Sequence, residues 1–119
     1  MTQLGEAADD DFCYLTTTGR VTGEPHEIEI WFALDGTTLY MLAGAGDESD
    51  WVRNLRADPA VTVRVRDVTY DARARVVTDA DEDRRARDLV FAKFQPRNRG
   101  ELVTWRERAL PVAIDVGQS

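Results

Sequence analysis

Cys13 and His26 are the chain's only cysteine and its only histidine, which closes most common catalytic centres to it. A Ser–His hydrolase needs a base beside its nucleophile, and Ser49 has no histidine near it in the chain. A Cys/His zinc site needs more of both residue types than one copy supplies, and an intramolecular disulfide cannot form. Cys13 lies in a strand-like run and reads as a buried structural thiol. His26, directly after Pro25, can orient a ligand or donate a proton, and it also reads as a polar strand end. The acidic clusters at 9–11, 47–50 and 79–83 read as a solvated tail, a loop and a helix N-terminus, where negative charge is favoured, rather than as metal ligands.

Two segments carry more chemistry. Gly19-Arg20-Val21-Thr22-Gly23 joins a permissive backbone, a guanidinium and a hydroxyl. Backbone N–H groups with an arginine can hold a phosphate or carboxylate; the same residues also make an ordinary tight turn. Trp51 opens a short helix after a Gly-rich loop. A helix N-terminus attracts anions and an indole offers a flat apolar wall, an edge for a planar cofactor. Trp51 can equally plug a core.

The elements that must position these residues are mostly strands. The first eleven residues read as a frayed acidic tail. Phe12 to Thr18 is rich in aromatic and β-branched residues, as a strand requires. Residues 26–34 alternate, and Asp35-Gly36 is a hairpin signal. A turn there sets Phe32 opposite Leu39, Ile30 opposite Met41 and Ile28 opposite Ala43. The reverse face, with Trp31, Tyr40 and Leu42, is also apolar and needs a cover of core, partner or ligand. Ser49 caps a short helix that Asp58-Pro59 ends. Residues 60–66 and 69–77 form a second hairpin, with Val61, Val63 and Val65 facing Ala74, Ala72 and Tyr70. Its arginines read as a solvated cross-strand face.

Thr78 and Asp81 resemble a capping box opening a helix that runs to about Phe94. Residues 95–100 read as a loop and 101–106 as a short helix. Leu110 to Val116 reads as a closing strand, with Pro111 suited to an edge. This order makes a small barrel or strongly curved sheet with helices at its margins. Residues 12–116 form the single domain.

Composition agrees with that class. The chain has 119 residues, a net charge of −7 and 43% hydrophobic content, which fits one globular domain. The acidic balance argues against nucleic acid, where phosphate attraction dominates binding. No apolar run reaches the roughly 20 residues that span a bilayer. The acidic start does not read as a secretory signal, so the expected location is the cytoplasm, with no stable membrane anchor.

LTTTGRVTGEPH (Leu15 to His26), the strand leading into Asp35-Gly36, DWVRNLRADPAVTV (Asp50 to Val63) and WRERALPVAI (Trp105 to Ile114) together resemble the deazaflavin-dependent nitroreductase family. The resemblance implies a mainly β (α+β) split β-barrel of about six mostly antiparallel strands with a few short flanking helices, related to FMN-binding proteins. It implies coenzyme F420 as cofactor, with FMN as the alternative, and hydride transfer to a small hydrophobic acceptor such as a quinone, nitroaromatic or enone. No catalytic side chain is then required, because the cofactor supplies the reactive carbon and the protein supplies orientation and exclusion of water.

Carried over by position, Arg20, Val21 and Thr22 meet the phosphate end of the coenzyme, and His26 and Ile28 lie along the groove. Leu42, Ala43 and Gly44 pass close to the ring, and Trp51, Val52 and Asn54 close the other side. Better-known members carry basic residues for phosphate and polyglutamate where this chain has Val21, His26 and Ala45. Arg53 and Arg56 are candidates to compensate. Competing readings are a non-catalytic binder of a fatty acid or haem-like ring, an FMN-binding relative, and an interaction protein with Trp31 and Tyr40 at a dimer interface. A homodimer is a reasonable assembly in any of these.

Overall fold

A computed structural model describes residues 3–117; Met1 and Thr2, part of the expected tail, lie outside the described residues, as do Gln118 and Ser119. The chain forms α1 (Gln3–Glu6), β1 (Phe12–Thr18), β2 (Pro25–Trp31), β3 (Ala33–Asp35), β4 (Thr38–Ala43), α2 (Asp50–Ala57), β5 (Ala60–Val65), β6 (Val68–Val76), α3 (Ala80–Phe94), α4 (Val103–Arg108) and β7 (Leu110–Val116). The seven strands make one sheet in the order β2-β1-β5-β6-β7-β4-β3. Every adjacent pair is antiparallel. This is the split β-barrel that the motifs imply, with one strand more than expected.

The extra strand comes from a break at Phe32. The alternating run 26–34 does not hairpin onto 38–43 as one strand. β2 pairs with β1, so that Ile30 faces Cys13 and Ile28 faces Leu15. β3 pairs with β4 at the opposite end of the sheet. A strand broken mid-run needs other partners for its backbone groups. The Phe32 amide donates to the Asp11 carbonyl at 3.3 Å, and its carbonyl accepts from Lys93 Nζ at 2.7 Å. Lys93 also lies 4.1 Å from the centre of the Phe32 ring, a cation–π contact that suits a half-buried ammonium.

Both tight turns sit one position from where the sequence puts them. Leu34 faces Leu39 and Asp35 faces Thr38, so Gly36-Thr37 is the turn, with Gly36 at φ 63°. In the second hairpin Val61 faces Ala72 and Val63 faces Tyr70 across an Arg66-Asp67 turn. Arg66 takes φ 58° there. Partners shift by two residues in each case, which preserves the faces. Pro111, expected on an edge, lies in a strand between β6 and β4, but only after the paired part of β6 has ended at Val76.

Two apolar layers result. The barrel interior collects Leu15, Phe32, Met41, Val63 and Ile114 among others. The outer face of β3, β4 and β7 carries Tyr40, Leu42 and Ala113, packed against Ala86, Val90 and Phe94 of α3. Trp31 stacks on Phe94 at 4.5 Å between ring centres. The reverse face is therefore covered by the protein's own helix, not by a ligand or a second copy, and Tyr40 is buried there.

The acidic start is not a solvated tail over residues 3–11. Leu4 and Ala7 are buried in the barrel core. Arg66 makes a bidentate pair with Asp10, at 2.9 and 3.1 Å. Arg97 pairs with Asp11 and also bonds the Asp9 carbonyl, and Lys93 donates to the Asp10 carbonyl.

α3 is capped one residue later than expected: the Asp79 side chain accepts from the Glu82 amide at 2.9 Å. Glu82 then reaches across the sheet, accepting from both Arg75 Nη1 and Nη2 and from the Tyr40 hydroxyl at 2.6 Å. The Arg75 bonds, followed by that from Tyr40, hold its carboxyl down from an ordinary 4.5 to about 2, against the opposing effect of burial. The folded state thus binds this proton more weakly than the unfolded chain does. The contribution is complete above pH 4.5 and is lost as pH falls towards 2. Glu82→Gln is expected to cost about 2 kcal/mol at pH 7, a figure reduced for the solvent around Arg75, and to flatten the acid limb of stability. Urea unfolding at pH 7 and pH 3 checks this; a wild-type acid limb in the variant refutes it.

Candidate functional site

The connection between β1 and β2 is built by its own residues. The Gly19 amide donates to the Glu24 carbonyl at 2.8 Å, and the Gly23 amide donates to the Gly19 carbonyl at 2.9 Å. Gly23 takes φ 77°, a left-handed conformation that glycine adopts without strain. The Thr22 hydroxyl accepts from the Glu24 amide at 3.2 Å. A Cβ at Gly19 would lie 2.7 Å from His26 Nε2. His26 therefore folds back against the loop.

α2 fixes this loop from the other side. Asn54 is 3% exposed, and both polar atoms of its side-chain amide are engaged. Its Oδ1 accepts from the Arg20 amide at 3.2 Å and from Arg20 Nη1 at 2.8 Å. Its Nδ2 donates to Thr17 Oγ1 at 3.2 Å. One neutral side chain thus holds β1, the loop backbone and the guanidinium together. Arg20 also meets the first residue of α2, with Nη1 at 3.4 Å from the Asp50 carbonyl and Nη2 at 3.3 Å from Asp50 Oδ1.

Between these elements lies an open cleft of about 480 Å³. The loop side is Gly19 to Thr22, the strand side is His26, Glu27 and Ile28, and the helix side is Asp50, Trp51 and Asn54. Of the residues expected to bind a cofactor, Arg20, Val21, Thr22, His26, Ile28, Trp51 and Asn54 come together here. The others do not. Leu42 lies under α3, while Ala43 and Val52 face the barrel core, each 4% exposed or less. Their side chains are spent on packing. Gly44 is exposed beside Trp105 and does not line this cleft.

Glu27 and Asp50 are lining residues that the sequence reading did not assign to a ligand site. Two further expectations change. Arg53 and Arg56 are not turned to the cleft: Arg53 Nε donates to the Asp47 carbonyl and Arg56 pairs with the Asp47 carboxylate at 2.6 Å. Ser49 precedes α2 but makes no side-chain cap. Cys13, fully buried, has its thiol pushed up to about 12 by desolvation and is inert at neutral pH.

The donor set suits a planar ligand that carries an anion. Among the described residues, neither the Val21 nor the Thr22 amide has a protein acceptor. Both flank a guanidinium already fixed in place, and such consecutive N–H groups form a cradle for phosphate or carboxylate oxygens. The Trp51 indole and Ile28 supply apolar surface along the same cleft.

Residues 2–116 match the F420H(2)-dependent quinone reductase family. The chain belongs to that family. It is an F420-dependent oxidoreductase, as its motifs imply. An F420-H2 dependent reductase, FDR-A, is 24% identical, with 91% of this chain and 95% of that one covered and a TM-score of 0.70. A FAD-binding protein from Mesorhizobium loti is 17% identical, with 99% and 91% covered and a TM-score of 0.70. A structure described as a domain-swapped dimer is 26% identical, with 92% and 81% covered and a TM-score of 0.72. The first two share the fold with this quinone reductase family member. Among the described residues, no helix is long and apolar enough to cross a membrane.

Proposed function

We propose that this reductase carries F420 in the cleft between the β1–β2 loop and α2 and passes hydride to a small hydrophobic acceptor such as a quinone, nitroaromatic or enone. The observation that supports the placement is the Arg20 guanidinium, clamped by Asn54 beside two unpartnered loop amides. Arg20, Val21 and Thr22 hold the anionic end of the cofactor. Trp51 and Ile28 lie along its planar part, and His26 orients it from the strand side. Reduced F420 supplies the hydride when bound. The protein's part is to fix that group relative to the acceptor and to keep water from the apolar side of the cleft. The neighbour described as a domain-swapped dimer supports a homodimer as the assembly.

Titration of the purified protein with F420 and, in parallel, FMN, followed by cofactor and tryptophan fluorescence, tests the reading. Micromolar binding of F420 is expected. Arg20→Ala is expected to weaken it by about 1.5–3 kcal/mol, the loss of a charge-assisted contact. Absence of F420 binding, or an Arg20→Ala protein that binds as wild type does, overturns the placement.

A further inference from the structure

We propose that Asp50 is a specificity-determining residue of the cleft, which competes with the cofactor's anionic group for Arg20 and thereby selects F420 forms with few charges beyond that group. The inference rests on the reading that F420 engages Arg20. The guanidinium has two unlike partners. Asn54 is neutral, 3% exposed and 2.8 Å away, and it is also bonded to Thr17. Asp50 approaches no closer than 3.3 Å with its carboxylate, and its side chain is 85% exposed. An exposed pair of that length is held weakly. An incoming phosphate or carboxylate offers Arg20 the same chemistry and can displace Asp50 towards solvent without disturbing the Asn54 clamp.

Displacement does not remove the charge. Asp50 stays on the helix side of the cleft and Glu27 on the strand side, and Arg20 is the one fixed cation among the lining residues. The neighbouring arginines of α2 are committed to Asp47. The first anionic group of a ligand therefore finds a guanidinium and two free amides, whereas each further negative charge finds carboxylates. Repulsion between such solvated groups falls as salt rises. A long polyglutamate tail is penalised more than a short one.

Fluorescence titration of the whole protein, wild type and Asp50→Asn, with F420 bearing short and long glutamate tails, at low and high salt, tests this. Asp50→Asn is expected to bind about tenfold tighter at low salt. The gain is expected to be larger for the long tail and to shrink as salt rises. Asp50→Ser, which keeps a polar residue at the helix start, is expected to behave alike, and thermal unfolding confirms that both variants remain folded. Unchanged or weaker binding by both variants overturns the inference, as does an equal gain for the two tails. Failure of wild type and variants alike to bind F420 overturns the cleft reading itself.

Discussion

Asn54→Leu is expected to destabilise the protein by about 3 kcal/mol and to lower F420 affinity, though by less than Arg20→Ala does. Leucine keeps the branched skeleton of the amide without its donor and acceptor atoms, and its larger methyl groups add an overpacking cost to the lost hydrogen bonds. It leaves the Thr17 hydroxyl, which is 1% exposed, and the Arg20 amide without the partner that Asn54 gave them. A buried polar group stripped of its partner costs more than the bond's net worth, because water is not there to replace it. The same substitution frees the Arg20 guanidinium from its 2.8 Å contact, so a ligand would have to order it on binding. Urea unfolding and F420 titration of one preparation read both effects. The pair separates two roles: Arg20→Ala is expected to weaken binding with little loss of stability, since the Arg20 side chain is partly exposed. An Asn54→Leu protein of wild-type stability would refute the clamp.

Leu4→Ala is expected to cost about 3 kcal/mol, the usual penalty for emptying a leucine-sized site in a packed interior. Leu4 is 2% exposed and joins the same apolar cluster as Phe32, Met41 and Val52. Were this segment a solvated tail, the substitution would fall within about 0.5 kcal/mol of neutral. Urea unfolding decides between these outcomes without any ligand. We therefore propose that the folding unit begins at α1, ahead of the boundary at residue 12 that the composition suggests.

What the sequence conveyed depended on how local the signal was. Period-two alternation assigned faces correctly in both hairpins, and those faces survived although the partners moved. Partner choice depends on which turn residue takes positive φ, and Gly36 and Arg66 took it one step from where Asp35-Gly36 and the second loop suggested. The break at Phe32 had no local mark, because the alternation runs through it. It is stabilised by Asp11 and Lys93, which lie far away in the chain. The acidic run 9–11 misled for the same reason, since Arg66, Lys93 and Arg97 are brought to it only by folding. In the cleft, residue types sufficed for Arg20, Thr22 and Trp51. Leu42, Ala43 and Val52, carried over by position, proved to be core side chains.

The break at Phe32 also bears on how this cleft can change over time. It sends one uninterrupted stretch of chain from the loop wall through both sheet edges and on to α2, so that every lining residue falls between Gly19 and Asn54. The later strands and helices contribute none of them. In the proposed placement the determinants of ligand choice form one contiguous passage, and a recombination event with ends in β1 and β5 would exchange them as a set. The rest of the chain, free of that duty, answers mainly to the demands of packing.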